Sequence, residues 1–143
     1  MARFIEFSLH HPLLVGATLL ALIAALVYEI RQRSLASVSV SAQEAVRLIN
    51  QGATVVDLRE AGKFSGGHIV DALNLTPAEV TADPESRLKK KRPVLLVCDT
   101  GSHSARLVDS LRKAGFDNAW ALDGGLASWE RENLPVVASR GKA

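Results

Sequence analysis

The run Leu13–Tyr28, LLVGATLLALIAALVY, carries no charged residue and only Thr18 as a polar one. Taken with Leu9–Pro12 upstream it reaches roughly 20 residues, about 30 Å as a helix, the thickness of a bilayer core. A helix apolar on every face needs either a large fold or lipid around it. The rest of this 143-residue chain is too short to wrap it. Glu29, Arg31 and Arg33 follow at once, where cleavage of a signal peptide needs small neutral residues, and Leu35-Ala36-Ser37 is a poor substitute. Residues 1–33 are therefore expected to be an uncleaved transmembrane anchor, in contact with the bilayer, rather than a signal with Arg3 as its basic start. Arg31 and Arg33 outweigh Arg3, which Glu6 offsets, so the positive-inside bias predicts a cytoplasmic C-terminal part.

This segment accounts for most of the mean hydropathy of +0.13. The formal charge is +2, from 17 basic and 15 acidic residues. Arg3, Arg31 and Arg33 against Glu6 and Glu29 leave +1 before residue 34, and the remainder is also +1. The one basic run, Lys89-Lys90-Lys91-Arg92, lacks aromatic interleaving and reads as a solvated helix end, not a nucleic-acid site. One Cys excludes an internal disulfide and a multi-Cys metal cluster, and four His leave little scope for zinc, so no metal or cofactor is expected.

Residues 34–40 are small and polar enough for a linker. After them helix and strand alternate. Ser41-Ala-Gln-Glu44 is a capping box opening a helix that Gly52 closes. Thr54–Leu58 is a short strand, Phe64–His68 a turn, Ala72–Leu75 a possible strand, and Pro77–Lys91 a weak helical pattern. Pro93–Val97 reads as a buried strand, Ser104–Ala114 as an amphipathic helix closed by Gly115, and Ala119–Leu122 as a further strand. Asp123-Gly-Gly125 turns into a short helix through Trp129, and residues 138–143 form a tail. Such alternation predicts an α/β fold, a mostly parallel sheet with helices on both faces.

The chemistry is expected after the central strand. Cys98-Asp-Thr-Gly-Ser-His103 joins that strand to a helix, at the strand end where parallel sheets bind ligands. A tight loop containing Gly101 can aim successive N–H groups at the Cys98 sulfur, which also sits near a helix N-terminus. A lowered thiol pKa follows. A small buried Cys with no chemical role satisfies position alone equally well.

From about Ser41 to Val137 the chain resembles the rhodanese-like family. Val55-Val-Asp-Leu-Arg59 resembles its early strand with an Asp-x-Arg end; Glu60, Phe64 and Gly67-His68-Ile69 are similar to its "E…F…GHI" segment. Asp71-Ala-Leu-Asn74 is similar to "GAxN", with Asp71 where Gly is usual. Val97-Cys98 with Gly101 and Ser104 resembles the active-site loop "CxxGxRS", and Leu122–Trp129 with Leu134-Pro135-Val136 the closing "GGxxxW…LPV". An anchor ahead of one such domain also resembles small membrane-anchored rhodaneses of bacteria.

The resemblance implies a three-layer sandwich over 41–137, on a single-pass protein of the bacterial inner membrane. It implies sulfur transfer with Cys98 as the nucleophile carrying a persulfide, from a small sulfur donor or a protein thiol or persulfide. Backbone N–H groups over Asp99, Thr100, Gly101, Ser102, His103 and Ser104 would bind the anionic intermediate; Arg59 either joins the binding set or, with Asp57, holds the loop and shapes the pocket floor, and His68 supports as a capping or turn-bonding residue. His103 stands where the family has Arg, and Asp99 adds a carboxylate beside the sulfur. Arg is permanently charged and bidentate toward oxyanions, which His is not, so thiosulfate is expected to be a poor donor. Related phosphatases use a loop one residue longer, closed by Arg; here the sixth residue after Cys98 is Ser104, which excludes that chemistry. The alternative reading is a weakly catalytic or non-catalytic docking module at the membrane.

Overall fold

The structure is a computed structural model that describes residues 11–139. Residues 1–10 of the expected anchor, Arg3 and Glu6 among them, and residues 140–143 of the expected tail lie outside the described residues, while Ser139, within the expected tail, donates from its N–H to Ser65 O at 3.1 Å. The chain forms two compact units that divide after Ser34.

In the first unit, helix α1 (Pro12–Ala36) contains Pro12–Ile30, a stretch long and apolar enough to cross a membrane. Pro12 occupies the first turn, where its missing N–H removes no helical bond. None of the stretch is buried, and Leu13 is 88% exposed. The Thr18 hydroxyl is shared between its own helix's carbonyls, 3.0 Å from Leu14 O and 2.9 Å from Val15 O. Internal satisfaction of this kind is what an apolar surrounding requires.

The second unit runs β1 (Ser39–Val40), α2 (Ala42–Asn50), β2 (Thr54–Asp57), α3 (Ala61–Gly66), β3 (Leu73–Asn74) and α4 (Pro77–Ala82). It continues through α5 (Pro84–Arg87), β4 (Val94–Val97), α6 (Ser102–Lys113), β5 (Ala119–Leu122) and α7 (Gly125–Arg131). The strands form one sheet in the order β1-β5-β4-β2-β3, each pair parallel. The most apolar strand, β4, takes the centre. Its side chains alternate between two core layers: Val94 and Leu96 pack with Val80, Val108, Leu111 and Phe116, Leu95 and Val97 with Ala45, Ile69, Leu126 and Trp129. Helices α4 and α6 thus cover one face and α2 and α7 the other, the three-layer α/β sandwich expected from sequence.

The capping box at Ser41 forms as expected: Ser41 Oγ accepts from Glu44 N and the Glu44 carboxylate accepts from Ser41 N. A second one, Thr76 with Glu79, opens α4. Three expectations change. Phe64–His68, expected as a turn, is in part the end of helix α3, which runs to Gly66. The weak helix over Pro77–Lys91 is two short helices, broken at Asp83-Pro84 because Pro84 has no N–H to continue the first. Ser39 and Val40, expected within a linker, form edge strand β1. Ala121 N donates to Val38 O at 3.0 Å and Asp123 N to Val40 O at 2.9 Å, while Val38 and Val40 are buried. A two-residue strand is too short to show alternation in sequence and becomes visible only through its partner β5. Asp71, standing where Gly is usual, holds φ +58°. Asp is one of the few residues with a side chain that visit this left-handed region.

Val40 in β1 and Val38 just before it, both buried, at about 1.5–3 kcal/mol each make this segment an integral part of the domain. A chain beginning at Ser41 is expected to unfold in urea at least about 3 kcal/mol less stable than one beginning at Leu35. A true linker would leave the two midpoints equal.

Candidate active site

Because the sheet is parallel, the carboxyl ends of β2, β4 and β5 share one edge, and their order puts β4 between the other two. The loop Cys98–Gly101 follows β4, Leu58-Arg59 follows β2, and Asp123-Gly124 follows β5. This juxtaposition makes the site.

The Cys98 side chain is buried, at 7% exposed, yet forms part of a pocket wall. The loop turns at Gly101, φ +86°, and Gly101 N donates to Cys98 Sγ at 3.1 Å. Ser104 Oγ lies 3.5 Å from Sγ and 2.9 Å from Gly101 O. Its single proton can serve either Gly101 O or the sulfur. Burial alone would push the Cys98 thiol up. Hydrogen bonds from the Ser104 hydroxyl and from the backbone N–H groups of Ser104, Thr100 and His103 outweigh it, and hold the thiol below its ordinary value.

The loop is clamped from the β5 side. Leu126 N donates to Cys98 O at 2.9 Å and Ala127 N to Asp99 O at 3.3 Å, so the first turn of α7 finds its acceptors in the loop. Contact this close requires glycine on both sides. A Cβ on Gly125 (φ +58°) would collide with Cys98 O and stand 2.6 Å from the Asp99 carbonyl carbon; one on Gly101 would stand 2.8 Å from Leu122 O.

A pocket of about 280 Å³ opens above the sulfur. Cys98, Asp99, Thr100 and His103 line it from the loop and α6, Leu58, Arg59, Glu60 and Lys63 from the β2–α3 segment, with Pro77 at the start of α4. Arg59 is turned inward. Its Nη2 lies 2.6 Å from Asp57 Oδ2 and 2.7 Å from Gly67 O, and its Nε 2.9 Å from Asp57 Oδ1, with both side chains buried. The hydrogen bonds to Asp57 raise the Arg59 pKa further. Arg59 therefore contributes a wall, with its charge already matched by Asp57. Asn74 Nδ2 donates to Asp57 O and Arg59 O, fixing this turn against β3.

The expected residues divide accordingly. Cys98, Asp99, Thr100, His103 and Arg59 meet at the pocket; Gly101 and Ser104 lie behind the sulfur and act on it directly. Ser102 is exposed and does not line the pocket. Asp57 sits beneath Arg59. His68 stands apart: its ring stacks on Phe64 at 3.8 Å and its Nδ1 donates to Phe64 O at 2.8 Å, a turn-bonding role. Sequence reasoning missed Lys63, whose Nζ lies 2.7 Å from Asp99 Oδ2. These residues are 36 positions apart, and no one-dimensional pattern joins them. Among the described residues no group of three or more His, Cys, Asp or Glu is placed to hold a metal.

With this geometry in hand, residues 41–132 match the family model described as Rhodanese-like domain, and the chain belongs to that family. The uncharacterized protein YibN of Escherichia coli (strain K12) is 37% identical over 145 residues, covering 99% of this chain and 100% of YibN. Thiosulfate sulfurtransferase GlpE of Actinobacillus pleuropneumoniae serotype 3 (strain JL03) is 33% identical over 98 residues, 68% of this chain and 90% of GlpE. A rhodanese-related protein from Thermoplasma volcanium superposes with a TM-score of 0.62 at 29% identity, over 69% of this chain and 96% of that one.

Gly125→Ala tests the clamp. It combines a left-handed φ with a collision against the loop backbone, and is expected to destabilise the domain by about 3 kcal/mol or more. Chemical denaturation measures the loss, and alkylation of Cys98 reports the opened loop. Unchanged stability would mean that the contact is not held in solution.

Proposed function

We propose that the protein is a membrane-anchored sulfurtransferase that carries sulfur as a persulfide on Cys98. The observation that carries this reading is the aim of the loop at one atom: Gly101 N–H at 3.1 Å and Ser104 Oγ at 3.5 Å from Cys98 Sγ, beneath an open pocket. Hydrogen-bond donors converging on sulfur favour the thiolate over the thiol and suit a persulfide anion equally. A structural Cys in a core needs none of them.

The transfer divides into two displacements. The Cys98 thiolate attacks the outer sulfur of a donor such as thiosulfate; the donor's S–S bond breaks, its electron pair leaves with sulfite, and Cys98 holds a persulfide anion. An acceptor thiolate or cyanide then attacks the terminal sulfur, and the electron pair returns to Cys98 as thiolate. No net oxidant or reductant enters. The exposed apolar stretch Pro12–Ile30 supports a lipid-embedded anchor; the cations Arg31 and Arg33 that follow it favour a place in the bacterial inner membrane with the domain on the cytoplasmic side. Carbonate-resistant sedimentation with membranes, and a C-terminal reporter of sidedness, test that part.

Intact mass after incubation with sulfur donors tests the chemistry. One added sulfur is expected on the full chain and none on Cys98→Ser; absence with every donor leaves a docking module. The loading rate is expected to rise with pH as Cys98 ionises, and to level off at lower pH than an ordinary thiol requires. Ser104→Ala removes a donor to the thiolate, so the rise moves to higher pH and the rate at pH 7 falls by about tenfold. A profile unmoved by Ser104→Ala would remove the hydroxyl from this account.

A further inference from the structure

The mouth of the pocket holds an ion pair that the two displacements do not use. Lys63 comes from the middle of α3 and Asp99 from the active-site loop, their side chains more than half exposed, with Nζ and Oδ2 2.7 Å apart. The other permanently charged cation on the wall, Arg59, has Asp57 and Gly67 O as partners and is buried. An oxyanion-tailed donor entering the pocket therefore meets Lys63 already neutralised, with the Asp99 and Glu60 carboxylates both in the pocket lining. Exposed pairs of this kind are weak and exchange readily with other ions. Lys63 is thus available to a dianion only in competition with Asp99, and a donor with an uncharged tail needs no such exchange.

We propose that Asp99 sets donor specificity by acting as the resident counter-ion of Lys63, which disfavours oxyanion donors such as thiosulfate and favours persulfides with uncharged surroundings. Asp99 is a positioning residue in this scheme and Lys63 is the group that touches the oxyanion. The inference rests on the sulfurtransferase reading. With an uncharged donor the step is the same displacement: the Cys98 thiolate attacks the terminal sulfur of an alkyl persulfide, the S–S bond breaks, and the alkylthiolate leaves with the electron pair.

The test compares two donors on the full-length protein in detergent: thiosulfate, and hydroxyethyl persulfide, whose tail carries no charge. Second-order rate constants for adding one sulfur to Cys98, read by intact mass, give a thiosulfate-to-persulfide ratio for each variant. Asp99→Asn is expected to raise that ratio about fivefold, the effect of removing one unit charge near a dianion at a solvated site. Raising the ionic strength should shrink the gain. Asp99→Glu, which preserves the pair, should leave the ratio within about twofold of wild type, and adding Lys63→Gln to Asp99→Asn should cancel the gain. A merely structural Asp99 would change both donors' rates together and leave the ratio still. A ratio unmoved by Asp99→Asn, or a gain that survives Lys63→Gln, overturns the assignment while sulfur transfer stands. Absence of sulfur on Cys98 in every variant with both donors overturns the sulfurtransferase reading and this inference with it.

Discussion

Everything the site does depends on the backbone contact between the Cys98 loop and the glycine turn after β5. A trans peptide is planar, with its C=O and N–H pointing in opposite directions. Ala127 N holds Asp99 O outward, so the Thr100 N–H of that same peptide is turned inward, where it acts on the sulfur. The clamp on one side of the loop is thus the cause of the cradle on the other. It also gives α7 partners for N–H groups that a helix start leaves unpaired, so a single contact serves both elements. Gly101, Gly124 and Gly125 are there because a Cβ at any of them would meet atoms of a neighbouring residue within 3 Å.

Around this clamp the domain uses two ion pairs of different character. Asp57–Arg59 is buried and ties β2 to the turn at Gly67; removing one partner would strand a charge away from water, a loss of about 3–5 kcal/mol. Lys63–Asp99 is solvated and contributes little to folding. The first is architecture, and it matches the charge of Arg59 within the pocket wall. The second is adjustable at small energetic cost, which makes it suitable for discrimination between ligands.

Much of this was legible in the residues. The apolar strand Pro93–Val97, the capping box at Ser41, the helix ends at Gly52 and Gly115 and the Cys-loop-helix order all follow from local patterns, because each depends on neighbours in sequence. The Cys98 loop was legible for the same reason: strand, glycine and helix are contiguous. What escaped was non-local. Strand β1 exists through its pairing with β5, Lys63 matters through Asp99, and the inward turn of Arg59 follows from the Gly67 carbonyl eight residues away. A resemblance to a family transfers motif positions well, but it does not say which way a guanidinium points.

The outermost strands, β1 and β3, are two residues each. A neighbouring molecule that approached either margin would find a ladder of only a few backbone groups, too short to template an added strand. Molecules of this domain crowded side by side therefore offer one another little edge along which to zip into continuous sheets.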